Sequence, residues 1–117
     1  MSDTVSSLLE QNLRDVFGER DDAARLTAIR RILADDIVFS DAEGVARGHD
    51  EVDAKARSIL EGAPGFAFTP VGPPRVAQDL GVQAWAFGPA GEDPVVSGLD
   101  VITVVDGRIA TLHTLLT

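Results

Sequence analysis

SGLDVITVVDGRIATLHTLL, residues 97–116, is the stretch that decides the fold. The pair Asp106-Gly107 separates two runs of β-branched and apolar residues, a pattern typical of a β-hairpin closed by a tight turn. Both faces of the hairpin are largely apolar, so the sequence predicts strands that are covered on both sides. Asp100 is the exception. A carboxyl group in such surroundings is expected to have a raised pKa and to stay protonated, which makes Asp100 a candidate functional residue.

The composition of the chain fits one folded domain spanning residues 1–117. The sequence has no cysteine, which excludes disulfides and thiolate metal sites. Its net charge of −9 disfavours nucleic acid and anionic membranes as partners. No apolar run is long enough for a transmembrane helix, and residues 1–10 lack the pattern of a signal peptide. The sequence therefore predicts a cytoplasmic protein.

Helical periodicity dominates the first half of the chain. A first amphipathic helix is predicted to end near Gly18, and a second to begin at Asp21 or Asp22. A third is predicted to follow residues 48–50 and to stop at Gly62. The apolar faces of these helices consist of Val5, Leu8, Leu9, Leu13, Val16 and Phe17, then Leu26, Ile29, Ile32 and Leu33, then Val52, Ala56, Ile59 and Leu60.

Strand patterns dominate the second half. A short strand at residues 37–41 lies between the second and third helices, and strands at 66–78, interrupted at 72–74, and at 82–87 precede the hairpin. This order predicts an α+β domain with three N-terminal helices packed on one face of a curved, mostly antiparallel sheet. The opposite face needs another cover, which favours a homodimer formed through the outer sheet face. The apolar residues expected on that face are Leu99, Val101, Val105, Ile109 and Leu115.

Four segments together resemble the NTF2-like superfamily, which includes SnoaL-like polyketide cyclases and ketosteroid isomerases. The segments are residues 34–41 (ADDIVFSD), Gly48, residues 98–100 (GLD) and residues 106–109 (DGRI). The resemblance covers nearly the whole chain. It implies a conical sheet closed at one end by helices, a mostly apolar pocket for a small apolar ligand, and dimerisation through the outer sheet face.

The ketosteroid isomerase branch implies two active carboxyl groups. By their flanking patterns, its general base corresponds to Asp41 and its protonated acid to Asp100. The implied chemistry is cofactor-free proton abstraction next to a carbonyl, as in isomerisation or aldol cyclisation. The oxyanion-donating tyrosine of that branch would correspond to a place near Leu13, but the chain contains no tyrosine. The predicted ligand contacts are Leu13, Phe39, Trp85, Phe87, Ile102, Leu112, Thr114 and Leu116.

Simpler interpretations of the same residues stay open. Asp100 can be a buried acid satisfied by polar neighbours, and Asp41 can form a turn through its side chain. His113 is expected on the outer face with Ile109 and Leu115. Two separated histidines without cysteine argue against a metal site, and neither a phosphate-binding loop nor a G-x-S-x-G elbow is present. A non-catalytic ligand-binding or dimerisation module, or a protein-interaction adaptor of the same fold, is therefore an alternative to an enzyme.

Overall fold

The computed structural model describes residues 2–117. Within these residues the chain forms three α-helices, a short π-helical segment and six β-strands. The helices are α1 (Ser2–Gln11), α2 (Asp22–Ile32) and α3 (Gly48–Glu61). The strands are β1 (Leu33–Asp41), β2 (Gly44–Arg47), β3 (Phe66–Ala77), β4 (Leu80–Pro89), β5 (Val96–Val105) and β6 (Arg108–Leu116). The α+β prediction is confirmed.

Helix α1 continues directly into the π-helical segment, Asn12–Phe17, which ends at Gly18 as the apolar ladder predicts. Helix α2 begins where Asp21 accepts a hydrogen bond from the backbone N–H of Ala24 at 2.8 Å, an N-cap that satisfies a free donor of the first turn. No helix within residues 2–117 is long and apolar enough to cross a membrane.

The six strands form one sheet in the order β2-β1-β6-β5-β4-β3. All neighbours are antiparallel except β1 and β6, which run parallel and place Phe39 beside Leu112. The helices cover the concave face of this sheet. The predicted hairpin joins β5 to β6, and Asp106 and Gly107 both adopt positive φ, 52° and 78°, as a type I′ turn requires.

The structure contains one short strand that the sequence does not predict. Residues 44–47 form β2 and pair with the end of β1. Four residues are too few for alternation to indicate a strand. Only the pairing with β1 makes this segment a strand.

A β-bulge in β6 corrects the predicted position of Ile109. Thr103 pairs with Thr111 while Val104 pairs with Ile109, so Ala110 is the extra residue of β6. The extra residue reverses the alternation, and Ile109 is fully buried on the inner face instead of lying outside. Leu115 remains on the outer face, as predicted, and is 54% exposed.

Two polar side chains lie fully inside the helical layer. Arg25 is buried and donates to the carboxylates of Asp53 and Asp22 and to the carbonyl oxygen of Glu19. This bonding joins α2 to α3. Asn12, in the π-helical segment, is also buried, and its side-chain amide has no hydrogen-bond partner among residues 2–117. Both positions fall on the apolar ladders of their helices, but residue type alone would place both side chains at the surface.

Candidate functional site

A cavity of about 290 Å³ opens on the concave side of the sheet and contains both candidate carboxyl groups. Its lining is mostly apolar, with a few polar groups, as small-molecule sites commonly are. The lining residues are Leu13, Phe17, Phe39, Asp41, Ala42, Glu43, Ile59, Phe68, Trp85, Phe87, Val96, Asp100, Thr114 and Leu116. Three larger depressions, of about 800, 580 and 430 Å³, contain neither Asp41 nor Asp100, so the smaller cavity is the candidate site.

Strand pairing explains why the two acids meet. Asp100 on β5 pairs with Thr114 on β6, and Ser40 on β1 pairs with His113. Continuing the β1–β6 register by one residue brings Asp41 beside Thr114. Asp41, Thr114 and Asp100 therefore form a row across three adjacent strands, with the two acidic backbone positions about 10 Å apart.

Asp100 is held through only one of its carboxyl oxygens. The indole Nε1–H of Trp85 donates to Oδ1 at 3.0 Å, and the hydroxyl of Thr114 donates to the same oxygen at 2.9 Å. The other oxygen, Oδ2, has no hydrogen-bond partner among the described residues. Because the side chain lines the cavity, Oδ2 is the atom left to meet a ligand.

Burial changes the ionisation of Asp100. Desolvation raises its pKa to about 6, although the hydrogen bonds from Thr114 and Trp85 oppose this by favouring the carboxylate. Asp100 therefore changes charge near neutral pH. Below about pH 6 it presents a hydroxyl donor to the cavity, and above that pH it presents a carboxylate.

Asp41 is fixed by three partners at the end of β1. Its Oδ1 accepts hydrogen bonds from the backbone N–H groups of Glu43 at 2.9 Å and Gly44 at 3.1 Å, the turn anticipated from sequence. Its Oδ2 lies 2.9 Å from Nζ of Lys55 on α3. Both oxygens are thus held in place, and the carboxylate orientation is defined.

Lys55 joins Asp41 to Glu43. Its ammonium group also contacts the carboxylate of Glu43, which is largely exposed. Burial lowers the pKa of Lys55, but hydrogen bonds to Glu43 and Asp41 together with their negative charges outweigh that effect, and the net direction is upward. Lys55 therefore remains a cation beside Asp41.

Six of the predicted ligand contacts line the cavity. They are Leu13, Phe39, Trp85, Phe87, Thr114 and Leu116. Ile102 and Leu112, also predicted as contacts, do not line it. They lie deeper, fully buried in the core beneath the helices, because the sheet curves and closes toward that end. The sequence correctly placed both residues on the inner face. Alternation does not show which inner residues lie at the cavity and which lie in the core. His113 is exposed on the outer face.

Several cavity residues were not predicted. Phe68 stacks on Phe87 with ring centroids 4.1 Å apart and meets Trp85 edge-on at 5.2 Å. Phe17 packs against Phe39 at 5.4 Å. Apart from strand alternation, nothing in the sequence indicates that Phe68 faces the cavity. Lys55, which lies outside the lining, had a weak signal, since it is three residues after Val52 on the buried side of α3.

Comparison with solved structures finds the same fold in bacterial proteins of low sequence identity. A proposed isomerase of the SnoaL-like family from Agrobacterium tumefaciens superposes with a TM-score of 0.91 at 20% identity, over 100% of this chain and 99% of that one. A proposed polyketide cyclase from Sinorhizobium meliloti gives 0.74 at 19% identity, over 97% and 98%. A proposed ketosteroid isomerase from Kribbella flavida gives 0.73 at 14% identity, over 98% and 78%.

A comparison with curated proteins gives no significant match. The SnoaL-like domain model, by contrast, matches residues 12–112. That range contains the helical layer from the π-helical segment onward, β1 to β5, most of β6 and both carboxyl groups of the cavity. With the six-stranded curved sheet, this match shows that the chain belongs to the SnoaL-like family of NTF2-like domains.

Proposed function

We propose that the protein binds a small apolar carbonyl compound in this cavity and abstracts a proton next to the carbonyl, as an isomerase or cyclase without a cofactor. The observation that carries the proposal is the placement of Asp41 and Asp100 on one apolar cavity, on strands either side of β6. The SnoaL-like family membership and the isomerases and cyclases proposed among its structural neighbours support the same reaction class.

Asp41 is the proposed general base. Its two oxygens are oriented by the turn amides and by Lys55, and a base must be held within hydrogen-bond reach of the proton that it takes. Oδ1 already accepts two backbone hydrogen bonds, whereas Oδ2 contacts only Lys55 and keeps a lone pair for that proton. The neighbouring ammonium group of Lys55 keeps Asp41 in position while substrate enters.

Asp100 is the proposed donor to the developing enolate oxygen. When protonated, it carries its proton on Oδ2, because Oδ1 already accepts from Trp85 and Thr114. Donation from a preorganised, water-excluded group is the usual way in which enzymes stabilise an oxyanion. Leu13 occupies the wall where the family resemblance implies a tyrosine, so the site has one donor fewer. Loss of one such donor typically lowers the rate by about two to three orders of magnitude.

The cavity size limits the substrate. A cavity of about 150 Å³ accepts benzene, and this one measures about 290 Å³. A ligand of one or two rings therefore fits the described cavity.

Deuterium exchange tests the assignment of the base. In D2O, NMR would follow exchange at the α-carbon of one- and two-ring ketones for the wild type and Asp41→Asn. We expect the variant to be slower by at least about 100-fold, because it lacks the proton acceptor. The wild-type rate should fall as pH rises through about 6, since Asp100 then loses the proton that it donates.

Asp36→Asn is the matched control, because Asp36 is exposed on the same strand and its substitution removes the same charge. It should exchange at the wild-type rate. Equal rates for Asp41→Asn and the wild type would overturn the assignment of the base. If wild-type protein binds the ketones without exchanging them, the non-catalytic binding module is the correct function.

We also propose a homodimer formed through the outer sheet face. Val71, Ala84, Leu99 and Leu115 form a continuous apolar row there, one residue from each of β3, β4, β5 and β6. We expect sedimentation velocity to show a dimer for the wild type and a monomer for Leu115→Lys. Val95→Lys, at an exposed site in the loop before β5, should remain dimeric. A monomeric wild type at tens of micromolar would contradict this proposal.

A further inference from the structure

The cavity wall has an unusual combination of aromatic rings and carboxyl groups. Five aromatic side chains line it, those of Phe17, Phe39, Phe68, Trp85 and Phe87. Three carboxyl groups line it as well, those of Asp41, Glu43 and Asp100. Among the described residues, no lysine, arginine or histidine reaches the lining. The charged side chains of the lining are therefore all acidic, and they lie among aromatic rings.

Among the described residues, no cationic side chain pairs with Asp100. Lys55 is shared by Asp41 and Glu43, so one ammonium group already serves two carboxylates. From β4, Gln83 faces Asp100 across the strand pair and is uncharged, and its amide donates to the carbonyl oxygens of Gly72 and Ala84. From β6, only the Thr114 hydroxyl faces Asp100, because His113 lies on the other side of the sheet. The ionised form of Asp100 therefore lacks a charge partner in the described part of the chain.

We infer that the cavity also binds small organic ammonium ions, with the positive charge between Oδ2 of Asp100 and the aromatic walls. A cation is attracted to the faces of aromatic rings, most strongly to those of tryptophan. Because Nε1 of Trp85 donates to Oδ1, Asp100 lies at the edge of the indole, and both residues line the cavity. A cation bound at Oδ2 therefore lies in the same cavity as the faces of the aromatic lining residues.

Organic ammonium ions are a ligand class beyond the proposed carbonyl reaction, and their binding requires the other charge state of Asp100. Proton donation to a carbonyl needs protonated Asp100, whereas a cation needs the carboxylate. Desolvation raises the pKa of Asp100 to about 6, so the two ligand classes should exchange preference around that pH. Binding of a cation favours the carboxylate and should lower this pKa in the complex.

Two probes of matched shape test the inference without any reaction. Benzyltrimethylammonium carries the cation, and tert-butyl phenyl ketone is a neutral acceptor of similar size with no exchangeable α-proton. Isothermal titration calorimetry would compare their dissociation constants at pH 5.0 and pH 7.5. We expect the ammonium ion to bind about tenfold more tightly at the higher pH, and the ketone to bind more weakly there.

The variant Asp100→Asn should remove the pH dependence of ammonium binding and weaken that binding at pH 7.5 by about tenfold or more. Asp36→Asn controls for the general attraction of a cation to a chain of net charge −9, and should behave as the wild type. Ammonium binding that is absent, independent of pH, or equally weakened by Asp36→Asn would overturn the inference. Because neither probe reacts, failure here is distinct from failure of the exchange assay, which depends on Asp41.

Discussion

Gly98→Ala is expected to destabilise the fold by about 3 kcal/mol, because a methyl group at this point of β5 would overlap the indole of Trp85 and the backbone of β6. A Cβ at Gly98 would lie 2.5 Å from Cζ2 of Trp85 and 2.6 Å from the carbonyl oxygen of Leu115. The carbonyl belongs to the paired backbone of β6 and has little freedom to move. The indole would have to shift, and with it the hydrogen bond from Trp85 to Asp100.

Denaturant unfolding of wild type and variant measures this effect, and the fluorescence of Trp85, the only tryptophan of the chain, reports the displacement directly. The emission of the variant should move to longer wavelength. Gly81→Ala is the matched control on β4, since its Cβ would meet only the side-chain ends of Val5 and Leu9. We expect Gly81→Ala to destabilise the protein less than Gly98→Ala does. If the unfolding midpoint of Gly98→Ala equals that of the wild type, the indole can move at little cost in free energy, and the prediction is wrong.

Asp100→Asn is expected to stabilise the protein by up to about 3 kcal/mol at pH 8 and to leave its stability at pH 4 nearly unchanged. Burial raises the folded-state pKa of Asp100 to about 6, so between roughly pH 4 and pH 6 the folded state holds a proton that the unfolded state has lost. Wild-type stability therefore falls as pH rises through this window and is lowest above it. Asparagine stays neutral throughout and keeps an oxygen that can accept from Trp85.

Urea unfolding of both proteins at pH 4 and pH 8 checks this result. Asp36→Asn should follow the wild-type pH dependence, because it removes an exposed charge. If Asp100→Asn were less stable than the wild type at pH 8, the carboxylate would be a net stabilising partner of Trp85 and Thr114, and the purely structural interpretation of Asp100 would be favoured.

Local signals predicted the fold well. The Asp106-Gly107 turn and the apolar ladders of the helices depend on residues close in sequence, and they are confirmed except at Leu33, which begins β1 instead of ending α2. Strand β2 was missed because its existence depends on pairing with β1. Ile109 was placed outside because one extra residue, Ala110, inverts the alternation, and a single sequence does not indicate a bulge there.

The bulge also determines the neighbour of Asp100. Without the extra residue, regular pairing from the Asp106-Gly107 turn would set His113 opposite Asp100, and with it Thr114 takes that place. The Lys55–Asp41 ion pair was missed for a related reason, because it joins α3 to the end of β1 and depends on how the helix is placed over the sheet. Except at the bulge, the face on which a residue lies could be predicted from sequence, whereas contacts between elements could not.

The parallel pairing of β1 with β6 has a consequence for folding kinetics. The helices and the antiparallel hairpins form from neighbouring segments, but β1 must wait for a strand from the far end of the described chain, and such long-range pairing is slow. Asp41 enters the cavity only at this step, because it lies at the end of β1. A ligand that contacts both Asp41 and Asp100 should consequently slow unfolding while leaving the folding rate unchanged.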